Sequence, residues 1–330
     1  MQTMSMLRTA RLLTAAGALA LSAWGAWADT FPARPVKIVV GFAPGSATDS
    51  FARAYAERLA PALKATVIID NKPGGAQVAA IQSLKAAPAD GYTLYMGTGS
   101  SMAQGPGLRK NSRHDPLRDF TPVGNLATAP GALIVTADLP FATVADLIAY
   151  ARAHPGKLSF GSSGVGSAGH LAGELFMART GTRMLHIPYK ADTEAAREVA
   201  AGTLQLAFTT LRTAASTVGA GKVRALLTLD TKRSPLLPDV PSVGEGGGAQ
   251  LADIAPYTWY ALVGPAGLPE PIVARLNEAS ARALGEPAFV EAMHKAGVNP
   301  ESTSPQGLRT LTERELAKWR EVGKHVKLDD

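Results

Sequence analysis

The sequence contains no cysteine. That excludes a disulfide framework, a thiolate metal site, a cysteine nucleophile and a lipid-modified cysteine behind an export signal. Beyond the N-terminal stretch, no segment approaches the roughly 20 consecutive apolar residues that a membrane span needs. Long basic runs are missing too. Lys and Arg are scattered, so the formal charge of +6 forms no nucleic-acid stripe and reads as a mildly basic surface that helps gather anions. No serine carries glycine at both offsets of a G-x-S-x-G elbow, no Walker A sequence occurs, and the six histidines include no H-E-x-x-H. These absences predict a protein that is not an enzyme, with no catalytic residue, no metal and no cofactor.

What is present begins with a tripartite export signal. Arg8 and Arg11 precede an apolar stretch through Leu12, Leu13, Ala15, Ala16, Ala18, Leu19, Ala20 and Leu21, which ends on Ala26-Trp27-Ala28. This layout predicts export to the periplasm with cleavage after Ala28. The rest of the chain is long enough for two modest domains, each with its own core.

Past Asp29, short β-branched runs alternate with segments of helical period, which predicts an α/β fold with parallel strands. The first series has strands at 36–40, 66–70 and 93–96. A helix from about Thr48 places Phe51, Ala52, Tyr55, Leu59 and Leu63 on one face. A second series starts at Ala132-Leu133-Ile134-Val135, continues through a helix opened by the capping pair Thr143 and Asp146, and has strands at 157–160, 185–188, 204–208 and 225–229. A strand at 259–263 precedes the last helices, the final one spaced by Leu308, Leu311, Leu316 and Trp319. The economical arrangement packs these helices back on the first lobe.

Three strands are each followed by a loop of small residues. They are Gly41–Asp49, with Phe42, Ala43, Gly45, Ser46, Thr48 and Asp49; Gly97–Ser101, with Thr98, Gly99, Ser100 and Ser101; and Gly161–Ser167, with Ser163, Gly164, Gly166 and Ser167. In open α/β sheets ligands lie beyond the carboxyl ends of the strands. Glycine admits close backbone approach, Ser and Thr donate hydroxyls, and a helix N-terminus offers unpaired N–H groups with partial positive charge, so these loops suit an anion. Gly, Ser and Thr are also ordinary turn and cap residues, and the case rests on three such loops spread over two lobes. His170, at a helix start beside Ser167, reads equally as a capping residue and as a ligand contact. Residues 164–169 form a formal G-x-G-x-x-G, but the next strand, Leu185-His186-Ile187-Pro188, lacks the acidic residue of a dinucleotide site.

Successive motifs resemble one family along nearly the whole chain. They include Phe31-Pro32-Ala33-Arg34-Pro35-Val36-Lys37-Ile38-Val39-Val40, Pro44-Gly45-Ser46-Ala47-Thr48-Asp49, Asn71-Lys72-Pro73-Gly74 and Asp90-Gly91-Tyr92-Thr93-Leu94. Later come Asp119-Phe120-Thr121-Pro122-Val123, Ser162-Ser163-Gly164-Val165-Gly166-Ser167, Pro188-Tyr189-Lys190, Pro238-Asp239-Val240-Pro241-Ser242-Val243 and Gly264-Pro265-Ala266-Gly267. These resemble the tripartite tricarboxylate transporter receptors, the Bug proteins. The resemblance implies a two-domain periplasmic binding protein of Venus-flytrap, type II-like form, hinged between α/β lobes at 29–127 plus 256–330 and 128–255. It implies a small organic carboxylate ligand, dicarboxylate or aromatic, held by backbone N–H groups and hydroxyls of the three loops, with Tyr189 and Thr209 joining the site. It also implies a monomer that serves the membrane permease subunits of a tripartite transporter. A sensor that presents the carboxylate to a signalling receptor is the alternative.

Departures from the family pattern cluster at the loops. Ser46 stands where a second glycine is common, Ser101-Met102 where Thr-His is usual, Ala191 for glycine, Thr209 for aspartate and Arg212 for proline. Loss of an aspartate at 209 predicts a ligand without an amino group.

Overall fold

The computed structural model describes residues 31–74, 77–109, 112–245, 249–254 and 257–324, so the export signal expected at 1–28 lies outside the described residues. Strands β1 (Val36–Val40), β2 (Val67–Asn71), β3 (Thr93–Thr98), β4 (Phe120–Ala129), β10 (Thr258–Pro265) and β11 (Asn299–Pro300) form one sheet. Its order is β11-β4-β10-β3-β1-β2. Strands β5 (Gly131–Thr136), β6 (Ser159–Ser162), β7 (Leu185–Pro188), β8 (Leu206–Thr210) and β9 (Val223–Leu229) form the second, in the order β7-β6-β8-β5-β9. The chain passes from the first sheet to the second at Pro130 and returns between β9 and β10.

The sheets are mixed, where the alternation predicted parallel strands. β1 runs parallel to β2 and β3, but β10 is antiparallel to both β3 and β4, and β5 is antiparallel to β8 and β9. A same-sheet helical crossover makes its two strands parallel, whereas a strand entering from the other sheet is free of that constraint. β5 and β10 are the two strands that follow such passages.

β4 is a ten-residue strand that no alternation announced. Pro122 and Gly124 break its pattern, and Pro122 is accommodated because the β4–β10 register shifts between Leu262 and Val263, the partner of Pro122. β6 begins two residues later than its apolar run suggested and reaches to Ser162.

The helices are α1 (Ala47–Leu63), α2 (Val78–Lys85), α3 (Gly105–Leu108), α4 (Val144–Ala153), α5 (Ala168–Thr180), α6 (Asp192–Ala200), α7 (Leu211–Val218), α8 (Glu270–Leu284), α9 (Pro287–Lys295) and α10 (Pro305–Val322). α1 buries the face expected of it, Phe51, Ala52, Tyr55, Leu59 and Leu63, and ends at Lys64 in the left-handed region. It packs against α8, where the Tyr55 hydroxyl and Ser280 Oγ are 2.6 Å apart. Cutting Leu59, which is fully buried, to alanine removes packing worth about 2–5 kcal/mol. α4 starts with the expected reciprocal cap between Thr143 and Asp146. One apolar cluster runs from Val39 and Tyr95 through Tyr257 and Trp259 to Leu133, Phe160 and Phe208, so the core continues from one sheet into the other.

Candidate functional site

A cleft of about 490 Å³ lies where loops of the two sheets meet. Four helix starts open on it, at Ser46–Thr48 of α1, Ser167–Ala168 of α5, Ala191–Thr193 of α6 and Thr210 before α7. Each contributes unpaired backbone N–H groups and the positive end of its helix dipole, so the wall attracts negative charge before any side chain is counted.

Two of these starts share one local design. Gly45 (φ 81°) and Gly166 (φ 76°) occupy the left-handed region that glycine enters at least cost, and each is followed by a serine N-cap. Ser46 Oγ accepts from Asp49 N at 3.2 Å, and Ser167 Oγ from His170 N at 3.3 Å. The glycine N–H then turns back to the side chain four residues on. Gly45 N donates to Asp49 Oδ2 at 2.8 Å, and Gly166 N to His170 Nδ1 at 3.0 Å.

Asp49 is buried, and its carboxylate also accepts from Arg53 Nε at 3.0 Å and from Asn71 Nδ2 at 2.9 Å, while Asn71 holds the Phe42 carbonyl at 3.0 Å. Burial pushes the Asp49 carboxyl up, but the Arg53, Gly45 and Asn71 hydrogen bonds together hold it below the usual carboxylate range. His170 is likewise buried. Its ring stacks on His186 at 4.0 Å, and His186 Nε2 sits 2.7 Å from Ser162 Oγ, which accepts from Gly164 N at 3.2 Å. Desolvation, and then the neighbouring His170, push His186 down to about 4.

The remaining wall belongs to the first sheet. Gln77, a buried residue at φ 71°, donates from Nε2 to Thr98 Oγ1 at 3.1 Å and to Ser100 Oγ at 3.2 Å, and its Oε1 accepts from the Tyr95 hydroxyl at 2.7 Å. A side chain at Gly41 would put its Cβ 2.7 Å from Gln77 Cγ, so glycine there makes room for this anchor. Ser100–Gln104 form a π-helical turn where an open loop was expected. Tyr257 and Tyr260 close the cleft from β10 and its approach. Burial raises both hydroxyls, Tyr260 to about 12, so both stay protonated. Tyr257 donates to the Phe208 carbonyl at 3.3 Å.

Among the residues singled out in the sequence, Phe42, Ala43, Gly45, Ser46, Thr48, Thr98, Ser100, Ser163, Gly166 and Ser167 line the cleft together. Asp49, Ser101 and His170 stand behind it as supports, Ser101 Oγ bonding both Thr98 N at 3.0 Å and Thr98 O at 3.1 Å. Gly99, Gly164 and Tyr189 are not in the lining, and Tyr189 packs beside Gly161. Thr209 is wholly buried within β8, outside the cleft lining, with no partner for its Oγ1. Arg212 faces an adjoining hollow of about 610 Å³ and donates to the Lys295 carbonyl at 3.3 Å.

Sequence reasoning missed Gln77, Arg109, Lys190, Asp192, Tyr257 and Tyr260, all in the lining. None lies in a small-residue loop. The one available signal was for Asp192, an acid at the start of a helix that follows a strand.

Residues 51–328 match the profile of the tripartite tricarboxylate transporter family receptor. A UPF0065 protein of Bordetella pertussis is 35% identical over 301 residues, covering 91% of both chains. Protein BugT of the same organism is 32% identical over 305 residues, 91% of this chain and 93% of its own. Among solved structures, R. palustris Rpa4515 with adipate superposes at TM-score 0.77 with 36% identity, over 89% of this chain and 97% of that one. MatC from Rhodopseudomonas palustris with bound malate superposes at 0.78 with 28% identity, over 89% and 100%.

Proposed function

The chain belongs to the tripartite tricarboxylate transporter receptor family, and from that premise we propose that it captures a small organic carboxylate in the cleft between its sheets and delivers it to membrane permease subunits. The observation that carries the reading is the convergence of four helix N-termini and the Thr98, Ser100, Ser163 and Ser167 hydroxyls on one cleft of about 490 Å³. A carboxylate there meets fixed N–H and O–H donors and leaves few polar groups to be desolvated unpaired. The adipate and malate bound by the two solved relatives support a ligand of this size. The receptor family and a solved neighbour that is a periplasmic binding protein, BugD, support capture without turnover.

In this reading the protein is exported to the periplasm and works as a monomer. Its two lobes, 29–127 with 256–330 and 128–255, close over the ligand about the two passages between sheets. The membership of β1–β4 and of β10 and β11 in one sheet supports that division.

A thermal-shift screen against aliphatic and aromatic carboxylates tests the reading. A ligand at 100 times its Kd stabilises by about 2.7 kcal/mol, and no shift with any carboxylate refutes it. Scattering with and without that ligand tests closure, since an unchanged radius at saturation excludes it. Co-purification with the permease subunits separates transport from presentation to a signalling receptor.

A further inference from the structure

We propose that Asp192 selects the ligand class: it receives an ammonium group, so the preferred ligand carries a cationic nitrogen beside its carboxylate. The inference rests on the carboxylate reading above and narrows it.

Asp192 is the first residue of α6 and lines the cleft. Its Oδ2 accepts from Thr210 N at 3.3 Å. Its Oδ1 is buried and has no hydrogen-bond partner. No ion pair involves Asp192 among the described residues. Burying a carboxylate oxygen without a donor is costly, so a group that supplies one is strongly favoured there.

The two tyrosines of the cleft do not supply it. The Tyr257 hydroxyl is committed to the Phe208 carbonyl, and the Tyr260 hydroxyl is engaged with Thr48. Desolvation raises the Asp192 carboxyl above the usual carboxylate value, only partly offset by the Ser163 hydroxyl and the Thr210 amide, so a cation brought beside it restores the anion. A cation beside Oδ1 adds to those two donors. A second ligand carboxylate would instead set two negative groups together.

The rest of the cleft suits the other end of such a ligand. Arg109 and Lys190 line it and join no ion pair among the described residues, and the α1 and α5 starts add their N–H groups. One cleft thus presents an unsatisfied acceptor and a set of unspent donors, the complement of a zwitterion. The expectation of a ligand without an amino group rested on Thr209, which is absent from the cleft lining, whereas Asp192 is part of it.

Calorimetry on the wild type and Asp192→Asn, with pairs that differ only in the amino group (succinate and aspartate, glutarate and glutamate, benzoate and 4-aminomethylbenzoate), tests the assignment. The wild type should bind the amino member of at least one pair more tightly, by roughly tenfold or more for a charged hydrogen bond. Asp192→Asn, which keeps shape and the acceptor for Thr210 N, should erase or reverse that preference while melting like the wild type. Wild-type affinity for the amino ligand should also fall in acid, and that of Asp192→Asn should not. A wild type that binds plain acids at least as tightly as their amino partners overturns the Asp192 assignment alone, as does an Asp192→Asn variant with the wild-type preference. A wild type that binds no carboxylate overturns the reading beneath it.

Discussion

Across the cleft, Gly45-Ser46-Ala47-Thr48-Asp49 and Gly166-Ser167-Ala168-Gly169-His170 run through the same backbone path and are anchored by different chemistry. On the first sheet the glycine N–H returns to a carboxylate held by Arg53 and Asn71. On the second it returns to an imidazole nitrogen, in a ring stacked on a second histidine that burial keeps neutral. The carboxylate anchor needs its charge, and the histidine anchor needs its neutrality. The same loop geometry is therefore held by a charged acceptor in one half of the molecule and by an uncharged one in the other.

The largest effect expected from breaking this comparison comes from Asp49→Ala. It leaves the Gly45 N–H and the Asn71 amide without their acceptor, at a cost of about 2–3 kcal/mol, read from urea unfolding. Because Arg53 is half exposed, losing that ion pair adds little. Asp49→Asn, which keeps an acceptor, should recover part of the loss.

Mild acid sharpens the contrast. His186 titrates at about 4 in the folded protein against an ordinary 6.5, so the unfolded chain takes up a proton first, and stability falls as pH drops from 6.5 toward 4 and then levels. Discounted for partial exposure, the loss is about 1–2 kcal/mol. Asp49, held below the ordinary carboxylate value of 3.8, contributes fully above that pH and fails only as pH falls through its lower folded value. Urea unfolding should therefore show stability declining between pH 6.5 and 4, before the Asp49 contribution begins to fail. His186→Gln should flatten that slope, and a slope that the variant leaves intact would dissolve the distinction.

The smallest effect should be shared. Ser46→Ala and Ser167→Ala each remove a helix N-cap, and each should lower stability by about 1 kcal/mol in thermal melts. Clearly unequal losses would show that the two starts carry different loads beyond their caps.

Much of the architecture could be read before folding. Phe51, Tyr55, Leu59 and Leu63 repeat at helical spacing, Thr143 and Asp146 mark a helix start, and the β-branched runs at β1 and β2 announce strands. β4 was hidden because Pro122 and Gly124 interrupt its period, and a bulge opposite a strand 130 residues or more distant makes them acceptable. The small-residue loops drew attention to parts of both walls of the cleft. Of the lining side chains outside them, Gln77, Tyr257 and Tyr260 carry no local mark, and Asp192 carries only that of an acid opening a helix.

The sequence by itself determined the class of fold, the family, and the glycine-serine helix starts, because these depend on residues close together in the chain: periodicity, caps and φ angles open to glycine. Only the tertiary structure decided which starts face one another, and which side chains among Asp49, His170, Asp192 and Thr209 reach the cleft. Asp49 and His170 turn back to their own loops, Thr209 lies inside a sheet, and Asp192 is left with one oxygen unpaired. That difference arises from partners brought together across long stretches of chain, and no local pattern of residues encodes it.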